Sequence, residues 1–195
     1  QNDTVTRGDG AGEMGDSLAA VNLGTGRTAT AIAAGGTHTC ALLDNATVKC
    51  WGDNGFGQLG LGDTVSRGIG AGQMGNGLPV VSLGTGRTAT AIAAGTSHTC
   101  ALLDNATVKC WGFGATGQLG QGDALSRGGS AGQMGNALPA ISLGAGRTAT
   151  AVTVGNGFTC ATLDNASVKC WGQNNFGQLG LGDVLTRGDG AGEMG

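Results

Sequence analysis

Two short β-prone runs, Thr99 to Leu103 and Thr107 to Trp111, flank Asp104-Asn105-Ala106, a turn-forming cluster, so this stretch predicts a β-hairpin. With Leu102 opposite Val108 and Leu103 opposite Thr107, Cys100 falls opposite Cys110. Facing Cα atoms in an antiparallel pair lie about 4.5 to 5.5 Å apart, a span that a disulfide bridges. The cysteines are therefore expected to pair within the hairpin. Upstream, Ala89-Thr90-Ala91-Ile92-Ala93-Ala94-Gly95 is small, partly β-branched and ended by glycine, which predicts a tightly packed strand near the middle of a sheet. Downstream, after a glycine-rich stretch and a long polar loop, Leu138 to Gly144 reads as an edge strand, because Pro139 donates no ladder hydrogen bond. That makes about four strands.

The same pattern is written three times. Cys40/Cys50, Cys100/Cys110 and Cys160/Cys170 recur every 60 residues, each pair followed at once by Trp51, Trp111 or Trp171, and His38 to Gly52 is identical to His98 to Gly112. Repeats of fixed period bury their apolar faces against their neighbours, so the unit of stability is the array. The modules run approximately 16–75, 76–135 and 136–195, with 1–15 a partial preceding module. Thr6 to Gly15 returns as Thr186 to Gly195, so the array is expected either to be part of a longer one or to join head to tail with other copies. A function for such a chain has to suit a surface presented several times.

Composition sharpens this all-β reading. Forty-two glycines but only two prolines, with 39% hydrophobic residues, argue for many tight turns between short strands rather than disorder. A net charge of −3 with a pI near 5.1 offers no basic stripe for nucleic acid and no polybasic patch for a membrane. No run approaches the apolar length of a membrane span, and Gln1-Asn2-Asp3-Thr4 resembles neither a signal peptide nor an initiator sequence, so a processed or partial chain is expected. Six cysteines in three pairs imply an oxidising compartment, outside the cell or on its surface.

The order His-Thr-Cys-Ala-Leu-Leu, turn, Val-Lys-Cys-Trp-Gly, then Gly-Gln-Leu-Gly and Gly-Asp, as at His38 to Gly52, Gly57 to Gly60 and Gly62-Asp63, resembles the repeat of the regulator of chromosome condensation family, most of all its secreted bacterial, cysteine-paired members. The resemblance covers nearly the whole chain. It implies a β-propeller with one four-stranded blade per repeat, and propellers of the family commonly close with seven blades. A chromatin-bound exchange factor, a secreted β-lactamase inhibitor and a plant photoreceptor share the fold, so fold alone selects no function.

Candidate chemistry is sparse. His38 and His98 precede the cysteines by two residues, but Phe158 holds the third such position, which reads as packing. The cysteine intervals do not match zinc-site spacing. The three tryptophans are read as filler between blades, since a sugar platform would need more aromatics and there is no tyrosine. Asn45, Asn105 and Asn165 head N-x-S/T triplets, as does Asn2, but Asp-Asn is read first as turn chemistry, with asparagine in the left-handed conformation. Arg7-Gly8-Asp9 and Arg187-Gly188-Asp189 become Arg67-Gly68-Ile69 and Arg127-Gly128-Gly129 in the other modules, so that tripeptide is read as chance. Asp63, Asp123 and Asp183, with Glu13, Glu193 and Asp16, are too scattered for calcium's six to eight oxygens. No catalytic set, phosphate loop, dinucleotide fingerprint or cofactor motif is drawn, and the residues that break the repeat, Phe113, Gln121, Asn156 and Phe158, carry no catalytic chemistry. The expectation is a non-catalytic extracellular scaffold that contacts proteins, copies of itself included, as a filament or surface structure. The alternative is a secreted inhibitor, adhesin or lectin-like protein acting through the Arg-Gly loops, such as Ser66 to Gly77.

Overall fold

A computed structural model describes residues 3–194, so the Asn2 triplet lies outside the described residues. Among the described residues nine strands form three antiparallel sheets: β1 (Ala29–Ala34), β2 (His38–Leu43) and β3 (Val48–Gly52); β4 (Ala89–Ala94), β5 (His98–Leu103) and β6 (Val108–Gly112); β7 (Ala149–Val154), β8 (Phe158–Leu163) and β9 (Val168–Gly172). Each sheet has its second strand in the centre. The sheets follow one another as blades of an open arc, the first packed on the second and the second on the third.

The hairpin register agrees with the pattern: Leu102 pairs with Val108 and Cys100 with Cys110, and Leu103 N–H donates to Thr107 O at 2.9 Å. All three cysteine pairs are disulfides, each with a Cα separation of 4.1 Å. The turn differs in detail. Positive φ falls on Ala46, Ala106 and Ala166 (60°, 60° and 64°) and not on the asparagines. Each asparagine instead uses Oδ1 to accept from the residue two ahead, as Asn105 does from Thr107 Oγ1 at 2.8 Å, so the next residue takes the left-handed turn.

Two further expectations are corrected. The alanine-rich strand is an edge of each sheet, not its middle, and its small side chains suit the close approach of β1 to β4 and of β4 to β7. Gly36 N–H, for example, donates to Gly95 O of the next blade at 3.1 Å. Each sheet has three strands rather than four. The Leu138 to Leu143 segment lies outside β6 and donates one ladder bond, Ile141 N–H to Val108 O at 2.8 Å; Val81 does the same to Val48. With Pro139 lacking a donor, the contact rests on side chains, and Leu138, Ile141 and Leu143 are buried while the residues between them face solvent.

Candidate functional site: a repeated seam and its two open faces

Because side chains alternate along a strand, each blade has one face bearing its disulfide and another bearing its tryptophan. The disulfide face of the first blade, with Leu42 and Val48, packs on Ala101, Leu103 and Trp111 of the second. The same seam recurs between Leu102 and Val108 of the second blade and Ala161, Leu163 and Trp171 of the third.

Polar groups fix the register of each seam. Trp111 Nε1 and Thr99 Oγ1 both donate to Gln58 O, at 3.0 and 2.8 Å, and Trp171 and Thr159 do the same to Gln118 O at 3.1 and 2.9 Å. Since each threonine spends its only proton on that carbonyl, its oxygen is the acceptor for His38 Nε2 (2.8 Å) or His98 Nε2 (3.0 Å). This assigns the Nε2–H tautomer to both histidines, and leaves His38 Nδ1 buried without a partner. Burial lowers both from 6.5 to about 4, with His38 adding repulsion at His98 and Asp53 pulling His38 the other way.

The long loops are straps across the tryptophan faces. In 186–194, Arg187 exchanges both backbone bonds with Gly172 at the end of β9, and Gly188 O accepts from Gly122 N–H of the preceding blade at 3.0 Å. Met194 is buried in the seam cluster with Trp171. Gly117 permits the close approach: a Cβ there would stand 2.6 Å from Arg187 O. Within the strap, Glu193 Oε2 accepts from Gly188 and Gly190 N–H, and those bonds hold its carboxyl below the usual range.

These straps absorb the charged candidates. Arg7, Arg67, Arg127 and Arg187 pair with Asp3, Asp63, Asp123 and Asp183 four residues earlier, at 2.6 to 2.8 Å. At Asp63 partial desolvation opposes the charge, but the Val65 N–H and the Arg67 guanidinium outweigh it and the carboxyl titrates low. Among the described residues no three of His, Cys, Asp and Glu gather where a metal would sit, and no helix is long and apolar enough to cross a membrane. Asn45, Asn105 and Asn165 are exposed at the hairpin tips.

Sequence reasoning missed the lysines. Lys49 and Lys109 lie on the tryptophan face, 6% and 8% exposed, and donate to Leu23 and Gly75 O or to Leu83 and Gly135 O at 2.6 to 3.0 Å; desolvation lowers both amines. A charge in phase with tryptophan was the available signal. The unique residues serve structure: Phe113 meets Phe56 edge to face at 4.8 Å, Gln121 Nε2 donates to Pro139 O, and Asn156 Oδ1 accepts from Thr96 Oγ1.

Family models for the regulator of chromosome condensation (RCC1) repeat match residues 29–58, 89–118 and 149–178, and a second model of that repeat matches 47–102. The chain belongs to the RCC1 repeat family. The Arabidopsis thaliana ultraviolet-B receptor UVR8 is 29% identical over 154 residues, 78% of this chain and 31% of the receptor. The human E3 ubiquitin-protein ligase HERC2 is 32% identical over 78% of this chain and 3% of its own length. Yeast Prp20p has the same fold, with a TM-score of 0.61 at 20% identity over 82% of this chain and 37% of that one. The RCC1 repeats here thus span about a third or less of these relatives.

The two seams leave two faces that each lack a counterpart among the described residues. On the third blade Val168 is 62% exposed and Cys160, Thr162 and Cys170 are half-buried, whereas Val48 and Val108 are fully buried. On the first blade Trp51 is half-buried, with no carbonyl among the described residues accepting its N–H. Exposure should order the disulfides. In a graded titration with a water-soluble phosphine, mass spectrometry of alkylated peptides is expected to show Cys160–Cys170 opening before the two sealed pairs, Cys40–Cys50 and Cys100–Cys110; simultaneous opening would contradict the burial.

Proposed function

We propose that this chain is a non-catalytic protein-contact scaffold of the extracellular space or cell surface, with its blade faces as the contact surfaces. One observation carries the reading: the disulfide face of the third blade and the tryptophan face of the first are the two halves of a seam that the chain itself forms twice. Such faces suit a further repeat, in the same polypeptide or in another copy. Protein contact is known for a relative in fold, yeast Prp20, solved bound to Kap60 and described for its binding to Gsp1p and histones. Three disulfides support an oxidising location. Two of the Arg-Gly straps, 126–134 and 186–194, are engaged in holding one blade to the next through Gly128 and Gly188, which favours the faces over those loops as contact surfaces.

Val168→Glu tests this. A carboxylate on an already exposed site leaves the fold intact, but would bury an unpaired charge in any seam formed there. Light scattering across a concentration series, together with capture of a repeat-containing partner, should show association weakened by 10-fold or more; equal association by both proteins would remove the face from consideration.

A further inference from the structure

Two segments of the chain have the same ten residues, Thr6 to Gly15 and Thr186 to Gly195, and in the described part of each they have the same shape. Gly8 and Gly10 N–H reach Glu13 Oε2 at 2.8 and 2.9 Å, as Gly188 and Gly190 reach Glu193. Gly8 and Gly12 have φ of 94° and 79°, against 90° and 82° for Gly188 and Gly192. Their surroundings differ. Met194 is 9% exposed in the seam with Trp171, whereas Met14 is 59% exposed. Among the described residues, the face of this strap that bears Met14 is thus preformed but uncovered, and a seat of matching shape is on the third blade.

The next residues show the same mismatch. Val81 and Ile141 are buried, and each donates its N–H to the edge of a blade, to Val48 or Val108. Their counterpart one module earlier is Val21, which is 41% exposed. The acceptor that Val21 lacks among the described residues has a counterpart too, at the exposed Val168 of β9.

We propose that residues 6–23 of one copy complete the third blade of a second copy, Val21 N–H donating to Val168 O and residues 6–14 taking the seat of 186–194. This rests on the scaffold reading above and names the occupant of its open face as a second copy of this chain. It follows that the two identical straps compete for one seat. While the resident strap is sound, exchange adds nothing to association; weakening it makes the incoming strap worth seating.

Gly188 supplies the weakening. A Cβ there would stand 2.7 Å from Gly117 O, at a backbone φ of 90°. Sedimentation equilibrium of the purified chain at up to millimolar concentration should show Gly188→Ala associating about tenfold more tightly than the parent, and Gly8→Ala added to it restoring the parent affinity. Val21→Pro deletes the donor at an exposed position and should abolish association with the far-ultraviolet spectrum and melting of the monomer unchanged. Gly188→Ala no tighter than the parent, or as tight with Gly8→Ala present, overturns the strap exchange. Association lost in Val168→Glu but untouched in Val21→Pro overturns this inference while sparing the scaffold reading. A chain monomeric in every variant overturns it too, and leaves the face to a different partner.

Discussion

Trp111→Ala should destabilise the protein by about 3 to 5 kcal/mol, while Trp51→Ala, made in a nearly identical sequence, should cost less than half as much. Trp111 is fully buried in one cluster with Leu42 and Val48 of the neighbouring blade and with Met134 and Leu138, and its N–H shares Gln58 O with Thr99. Truncation opens a cavity the size of an indole in a seam whose backbone is held on both sides, and removes one of the two donors to a buried carbonyl. Trp51 is half-buried and donates to no carbonyl among the described residues. Urea denaturation followed by circular dichroism measures both. Equal losses would mean that the tryptophan stabilises its own blade and not the seam.

Acid should loosen the same seams. His38 and His98 titrate at about 4 in the folded protein against 6.5 for an unhindered imidazole, so between those values the unfolded chain holds more protons than the folded one. Stability from these groups is complete above about pH 6.5, declines as pH falls, and stops declining below about 4. A displacement of that size corresponds to roughly 3 kcal/mol at a fully buried site. Burial is the main cause, and at His38 protonation would also add an Nδ1–H to an atom that has no partner. Melting temperature against pH should therefore drop between pH 6.5 and 4 in the parent and much less in a His38→Phe/His98→Phe protein. Phenylalanine is the residue the third blade carries at this position, where Phe158 lies over Gly155 as His98 lies over Gly95. The Asp63, Asp123 and Asp183 pairs also fail in acid, but at lower pH, because their carboxyls sit below the ordinary carboxylate range. An unchanged profile in the double variant would assign the acid lability to those pairs.

The hairpins were legible because alternation and turn residues act over a dozen positions, enough to place Cys100 opposite Cys110. The seams were less so. That Gln58 contributes a carbonyl to a tryptophan 53 residues later depends on how blades stack, and no local pattern encodes it. Small residues tolerate close packing, so the alanine-rich strands read as a sheet centre, but the closeness comes from neighbouring blades rather than neighbouring strands. Propensity predicts the left-handed turn at Asn105, whereas its side-chain bond to Thr107 leaves that conformation to Ala106. The straps read as polar loops, since a glycine-rich segment gives no sign of whether it covers a tryptophan or faces water.

Phe158 has a mechanical consequence. His38 and His98 each tie their blade to the next through a threonine, but phenylalanine has no hydrogen to give, so a blade docked on the third would meet it with one polar latch fewer. In the head-to-tail association proposed above, a row pulled from its ends would part at every third joint, and the fragments would be whole three-blade units with their sealed disulfides intact.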